Sequence, residues 1–210
     1  MGWLIRIGVV STILLWIYST RPIVLRSYKD ASQSHAISNL RQIGFNLFEF
    51  ESRYGRFPDD ITAVEVMRKT GTKLTLSDRT SNDAFVQLIA AGLAEERFFE
   101  THSKSARTPD GVCNSDATAL AHGETGFAYI SGLSSKDNPS LPIAFGPVIP
   151  GTSLLDPTAF YGRAVVLKLD NSVTTFPISP TGQISHGGGD LLDPKNPLWN
   201  GQTPDVKWPK

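Results

Sequence analysis

The strongest constraint on the fold is an amphipathic stretch that runs from residue 31 to residue 58. Its apolar residues are spaced alternately four and three positions apart, which places them on one face of an α-helix. These residues are Ala36, Leu40, Ile43, Leu47, Phe50 and Tyr54. Gly55 favours the left-handed turn that ends a helix, and Pro58 prevents the helix from continuing.

An apolar run, Trp3–Tyr18, precedes this helix and has Arg6 as its one charge. It spans about 24 Å as a helix, and continuation to Leu25 supplies the length that a hydrocarbon core of about 30 Å requires. We predict an uncleaved membrane anchor over residues 1–30, with Leu14 inside it. A cleaved signal peptide and a buried core helix are the alternatives, but the residues after Tyr18 fit a cleavage site poorly. Pro22 either kinks a continuous helix or separates two helices.

The sequence Asn39–Gly44, NLRQIG, is followed by Leu47, Phe50 and the pentapeptide YGRFP at 54–58. This pattern resembles the type IV pilin and type II secretion pseudopilin superfamily, in which such a stretch follows the membrane segment. The resemblance implies a pilin-like α+β fold: a long N-terminal helix, transmembrane and then amphipathic, packed on a small antiparallel β-sheet. An ordinary core-packing helix with a glycine C-cap is the alternative interpretation of the same residues.

Residues 59–210 are predicted to form the globular α+β domain. We expect short helices at Asp59–Met67 and Asp83–Leu93, the second with Ser81 or Asn82 as its N-cap. One further turn is expected at Glu95–Glu100, before a long polar loop over 101–123. Segments rich in β-branched and aromatic residues predict four strands. These segments are Gly126–Ile130, Pro142–Ile149, Ala164–Leu169 and Val173–Ile178.

A tight hairpin at 170–172 joins the last two predicted strands, because Asn171 tolerates a positive φ. This hairpin also resembles the "DG-SV" hairpin of the prepilin-like proteins, with Asn171 in place of Gly. After it, the tail is rich in Pro and contains Trp199 and Trp208. We expect the tail to form an ordered irregular strap, because its aromatic side chains require burial.

Charge and motifs argue against nucleic-acid binding and against catalysis. The chain has 20 basic and 20 acidic residues, whereas a nucleic-acid footprint needs clustered positive charge. His186 and the three following glycines resemble the HGGG loop of some hydrolases, but no G-x-S-x-G nucleophile motif accompanies them. His102, Cys113 and His122 are spaced too widely for a compact zinc motif. Adjacent acids such as Glu95–Glu96 are interpreted as solvated or capping charges. We therefore predict no catalytic residue.

Residues 187–193, GGGDLLD, are the one candidate metal site. The resemblance suggests calcium, because major pseudopilins bind it in a Gly/Asp-rich loop after the last sheet strands. Asp190 and Asp193 would supply carboxylates, and the glycines would let backbone carbonyls turn inward. A purely structural loop is the favoured alternative, since two acids are few for calcium. No other cofactor is predicted.

The resemblance implies a structural subunit or minor component of a type II secretion or type IV pilus-like assembly. Its partners would be other pilin-like subunits, secretion-platform proteins and the inner membrane, with the C-terminal domain in the periplasm. The basic residues that follow the apolar run predict the opposite orientation. No Gly-Phe processing site is seen and the first acidic residue is Asp30, whereas prepilins carry an early Glu that guides assembly. A free-standing envelope protein with a pilin-like fold is therefore the alternative, and an anchored hydrolase is disfavoured.

Overall fold

The computed structural model describes residues 29–210, beginning in helix α1, which extends over 29–54. Leu14, Pro22 and nearly all of the predicted anchor lie outside the described residues. Among residues 29–210, no helix is long and apolar enough to cross a membrane. The described chain is an α+β fold in which α1 packs on a five-stranded antiparallel sheet, in agreement with the predicted fold class.

The predicted apolar face of α1 is the face that packs. Ala36, Leu40, Ile43, Leu47 and Phe50 are each at most 1% exposed. Tyr54 is half-buried, and its ring lies 4.5 Å from the ring of Phe50. The helix ends as predicted: Gly55 has φ +81°, and its N–H donates to the carbonyl oxygen of Glu51.

Two shorter helices follow, α2 (Asp60–Thr70) and α3 (Ser81–Ala90). Asp59 caps α2 and Thr80 caps α3, each in a reciprocal capping box that satisfies otherwise free N–H groups. The predicted cap at Ser81 or Asn82 was wrong by one or two residues, because Thr80 reaches the N–H of Asp83. A 3₁₀ turn at Glu96–Phe99 confirms the turn expected there.

Seven strands follow in two sheets: β1 (Ala128–Ser131), β2 (Pro142–Gly146), β3 (Arg163–Lys168), β4 (Val173–Pro177), β5 (Ser185–His186), β6 (Gly189–Asp190) and β7 (Asp205–Lys207). The main sheet has the order β4-β3-β2-β1-β7, and all of its neighbours are antiparallel. The four predicted strands and the hairpin at Asn171 are thus confirmed. The tail is not irregular throughout, since β7 pairs with β1 and becomes an edge strand.

The main sheet is covered on both faces, which explains why β1 and β2 are buried along their whole length. On one face, Leu167 of β3 lies close to α1, and Tyr129 of β1 packs against Phe85 of α3. On the other face, Phe145 of β2 packs edge-to-face against Trp208 of the tail. The helices, the sheet and the tail therefore form three layers.

The tail reaches the sheet through the β5–β6 hairpin and a second 3₁₀ turn, Pro197–Trp199. Trp199 is 4% exposed, and its indole N–H donates to the carbonyl oxygen of Leu191 at 2.8 Å. The predicted burial of the tail aromatics is confirmed at Trp199, and Trp208 is partly buried. An aromatic side chain that is both buried and hydrogen-bonded fixes this segment against the sheet.

Candidate functional site

Helix α1 approaches the sheet closely at Gly44. A Cβ atom at this position would lie 2.0 Å from the Oδ1 atom of Asn171 and 3.3 Å from Leu167. Asn171 has φ +61° and forms the tip of the β3–β4 hairpin. The glycine of the NLRQIG sequence therefore lets the hairpin lie directly on the helix. The sequence contained both residues, but their pairing is visible only in the fold.

The opposite face of α1 is open to solvent and contains one large apolar side chain. Phe45 is 62% exposed, although its neighbour Gly44 is pressed against the hairpin. Glu49 and Arg53 form an ion pair one helical turn apart on the exposed surface. The predicted packing residues, from Leu40 to Tyr54, thus bind α1 to its own domain, while Phe45 does not take part in that packing.

Asp190 and Asp193 are brought to one open groove of about 620 Å³. Gly187 and Gly188 form the turn of the β5–β6 hairpin, with φ of +60° and +86°. Lys195 and the side chains of Asn138 and Asn196 also line the groove. The glycines of the HGGG sequence therefore form a hairpin turn.

The two carboxylates of this groove already accept hydrogen bonds from backbone N–H groups. Asp190 Oδ1 accepts the N–H of Leu192 at 3.2 Å, and Asp193 Oδ1 accepts the N–H of Lys195 at 2.8 Å. Calcium takes six to eight oxygen ligands, so the groove supplies few donors, and Lys195 adds an opposing charge. The geometry favours the structural interpretation, and calcium binding stays a prediction.

Three carboxylates that were not predicted to meet form a cluster beside the 101–123 loop. Oxygen atoms of Glu96, Asp110 and Glu124 all lie within 4.8 Å of one another. Glu96 is 2% exposed and Glu124 is fully buried, whereas Asp110 is exposed. The interpretation of Glu96 as a solvated charge was therefore wrong. Its position two residues before Phe98 and Phe99 was the available signal, because that places Glu96 in the same turn as two apolar side chains.

Both buried carboxylates accept hydrogen bonds from backbone N–H groups, and Glu124 also accepts one from a guanidinium group. Glu96 accepts the N–H groups of Leu120 at 2.6 Å and Gly111 at 2.9 Å. Glu124 accepts the N–H of Ala121 at 2.7 Å and the Arg107 guanidinium at 3.2 Å. The cluster thus ties distant parts of the long loop together, and its hydrogen bonds leave few oxygen atoms for a metal ion.

Burial in this cluster raises the pKa of two side chains, Glu124 and Cys113. Burial raises the pKa of Glu124, and the negative charges of Glu96 and Asp110 act in the same direction. Burial and a hydrogen bond to Glu96 raise the pKa of the Cys113 thiol to about 12. Cys113 is therefore a thiol at neutral pH, and the thiolate that a nucleophile or metal ligand requires is disfavoured.

His102 and Cys113 have different neighbours. The Nδ1 atom of His102 is 3.3 Å from Glu100, and the His102 ring lies 4.7 Å from the ring of His35 on α1. Burial lowers the pKa of His102, Glu100 raises it, and His35 lowers it further. Cys113 and His102 thus have separate surroundings, in agreement with the wide spacing of these two residues in the sequence.

The chain matches no model of a known protein family, no curated protein and no solved structure. The arguments for its function therefore rest on its own residues and on the resemblance described above.

Proposed function

We propose that this chain is a pseudopilin-like structural subunit, or a minor component, of a type II secretion or type IV pilus-like envelope assembly. One observation carries the proposal: the stretch that resembles prepilins is the stretch that joins α1 to the sheet. Gly44 of the NLRQIG sequence lies against Asn171 of the hairpin that also resembles the family. Two separate points of resemblance thus meet in a single contact.

The exposed side of α1 is consistent with an assembling subunit. Phe45 presents a large apolar surface that its own domain does not cover. In the proposal, this side and the apolar run Trp3–Leu25 contact neighbouring pilin-like subunits or secretion-platform proteins. The run anchors the chain once in the inner membrane, and the described domain lies in the periplasm.

A second candidate function is a free-standing envelope protein that keeps a pilin-like fold and does not polymerise. The observation that favours it is the absence of an acidic residue from the apolar run Trp3–Tyr18. In pilin-like proteins an early Glu guides each new subunit into the filament. Without that contact, self-assembly is weaker than in a major pseudopilin. An anchored hydrolase is disfavoured, because the chain lacks a G-x-S-x-G motif.

Disulfide crosslinking in membranes separates the two candidates. A Leu14→Cys variant is made in a Cys113→Ser background, so that its thiol is the only one present. A filament subunit is expected to give a disulfide-linked dimer on oxidation, because neighbouring anchors pack together and the single thiol of each chain forms one disulfide. A matched Lys195→Cys variant, outside the helix, is expected to give none. No dimer from Leu14→Cys at any expression level favours the free-standing protein.

Co-purification from detergent-solubilised membranes tests the assembly itself. Secretion-platform proteins are expected to be captured with the tagged chain. The control is Leu14→Arg, which places a charge within the apolar run and disfavours insertion by roughly 2.5–3.5 kcal/mol. This variant is expected to lose the captured proteins. Equal capture by both chains would contradict a role for the anchor in assembly.

A further inference from the structure

A small groove lies where α1 enters the described part of the chain. It is enclosed by the start of α1, the residues after the first 3₁₀ turn and the segment 156–161, and it has a volume of about 190 Å³. Sites for drug-sized ligands are roughly 300–1,000 Å³. This groove therefore fits a small chemical group rather than a whole metabolite. Its chemistry is determined by Lys29, Ser32, His102, Lys104, Asp156 and Phe160.

The charge that this groove offers to a ligand is positive. Lys29 donates to the carbonyl oxygen of Thr158 at 3.1 Å, and its ammonium lies 5.3 Å from the centre of the Tyr161 ring. Lys104 is exposed, and in the part of the chain that the structure describes it has no ion-pair partner. The one acid of the lining, Asp156, accepts both the N–H and the hydroxyl of Thr158, at 2.8 and 2.6 Å. The lining thus contains two lysines and one carboxylate, and the carboxylate is already hydrogen-bonded.

The backbone around this groove is strained. His102, Phe160 and Tyr161 have φ of +53°, +47° and +58°. They are three of the six non-glycine residues with positive φ among residues 29–210. Bulky side chains rarely adopt this conformation, and such strain concentrates at binding and catalytic sites. The strained backbone and the positive charge are independent observations, and both are found at this groove.

The position of the groove along the chain indicates where its ligand comes from. Lys29 is four residues after Leu25, the end of the apolar run. Four residues span at most about 14 Å, so the groove lies near the head groups if that run crosses the membrane. Basic groups beside a membrane segment attract anionic lipids. We propose that this groove binds the phosphate group of an anionic phospholipid, an inference that rests on the proposed membrane anchor.

The full chain, purified in a neutral detergent, is titrated with dihexanoyl phosphatidylglycerol and with dihexanoyl phosphatidylcholine. The anionic lipid is expected to bind more tightly. Lys104→Gln is expected to weaken its binding at least about fivefold, because a charge-assisted hydrogen bond to phosphate is lost. Lys104→Arg should bind within about twofold of the unmodified chain. The matched control is Lys73→Gln, another exposed lysine outside the groove, and it should change nothing.

Three outcomes overturn the inference, and they can be told apart. Equal affinity for the two lipids, or for Lys104→Gln and the unmodified chain, removes the groove as a site for an anionic phospholipid and leaves the anchor untouched. Displacement of the lipid by an equal concentration of inorganic phosphate identifies a site for free phosphate instead. Release of the chain from membranes by alkaline carbonate would contradict the proposed membrane anchor. A membrane lipid would then not be the source of the phosphate group either.

Discussion

At the scale of single residues, Gly44 is the position where the absence of a side chain matters most. Ala is favoured over Gly within a helix by roughly 1 kcal/mol, so an unobstructed Gly44→Ala would stabilise α1. Here the added Cβ meets Asn171 Oδ1 at 2.0 Å and must displace the hairpin tip. Overpacking of this kind typically costs about 1–3 kcal/mol. We expect Gly44→Ala to lower the free energy of unfolding by at least about 1 kcal/mol.

A double-mutant cycle isolates this contact. Asn171 adopts φ +61°, and its Oδ1 atom is buried and has no hydrogen-bond partner among residues 29–210, so Asn171→Gly removes both the obstacle and an unsatisfied acceptor. The double variant should therefore regain the stability that Gly44→Ala loses, as measured by urea unfolding. Strictly additive effects would show that the two residues do not meet. Gly189→Ala is the control, because nothing in the described part of the chain lies within 4 Å of its added Cβ.

Glu96 is a second residue whose role depends on burial. Glu96→Ala leaves the N–H groups of Leu120 and Gly111 without an acceptor in a buried place. Each such loss typically costs about 1–3 kcal/mol. We expect a loss of at least about 2 kcal/mol in urea unfolding, since relief of repulsion from Glu124 offsets only part of it. Glu95→Ala is the matched control: its side chain is 65% exposed and should change stability by less than about 0.5 kcal/mol. Equal effects in the two variants would contradict the assignment.

At the scale of elements, the acidic cluster makes the stability of the long loop depend on pH. Burial raises the pKa of Glu124, so the folded chain holds this proton more tightly than the unfolded chain. The free energy of unfolding therefore falls as pH rises above the ordinary pKa of 4.5 and through the raised value. Asp110→Asn removes a neighbouring negative charge and keeps the oxygen that accepts the N–H of Val112.

Asp110→Asn is accordingly expected to be more stable than the unmodified chain at pH 7. The difference should shrink as pH falls through the raised pKa of Glu124, because that carboxylate then becomes neutral. The melting temperatures of the two chains between pH 3.5 and 8 measure this difference in stability. Asp60→Asn, an exposed acid in the first turn of α2, is the control and should show no such pH-dependent gain. A constant difference at every pH would exclude charge repulsion as the cause.

The β5–β6 hairpin decides the calcium prediction. If Asp190 and Asp193 bind calcium, the melting temperature of the chain rises with calcium concentration, by mass action. Chelator should abolish that rise in the unmodified chain. The Asp190→Ala/Asp193→Ala variant should show no rise with calcium, and chelator should not change its melting temperature. No change at millimolar calcium, or an equal rise in the variant, would leave these residues with the loop-forming hydrogen bonds alone.

At the scale of the whole molecule, the proposed membrane anchor allows two orientations of the domain. The resemblance places it in the periplasm, whereas Arg21, Arg26 and Lys29 favour the cytoplasm under the positive-inside rule. We expect alkaline phosphatase fused after Pro58 to be active, because the enzyme requires export. A β-galactosidase fusion at the same position should be inactive. A stable but inactive phosphatase fusion would reverse the orientation.

Local patterns in the sequence determined the elements of this protein. The apolar spacing predicted the buried face of α1 from Leu40 to Phe50, because a helix brings such residues to one side. The Asn171 turn and the strands on both sides of it were also predicted, since turn chemistry and β-branched runs act over a few residues. The helix cap was placed one or two residues late, because Ser, Thr and Asn are all good caps.

Only the tertiary structure decided which distant residues meet. Glu96 and Glu124 are separated in sequence by a long polar loop, and nothing local indicates that they lie beside each other and beside Asp110. The fifth strand of the main sheet, β7, could not be predicted, because only Val206 of its three residues has a strong β propensity, and so short a segment forms a strand only when β1 offers a free edge. The contact of Gly44 with Asn171 likewise depends on how closely α1 approaches the sheet. These features follow from packing between distant segments, whereas the helices and hairpins follow from neighbours along the chain.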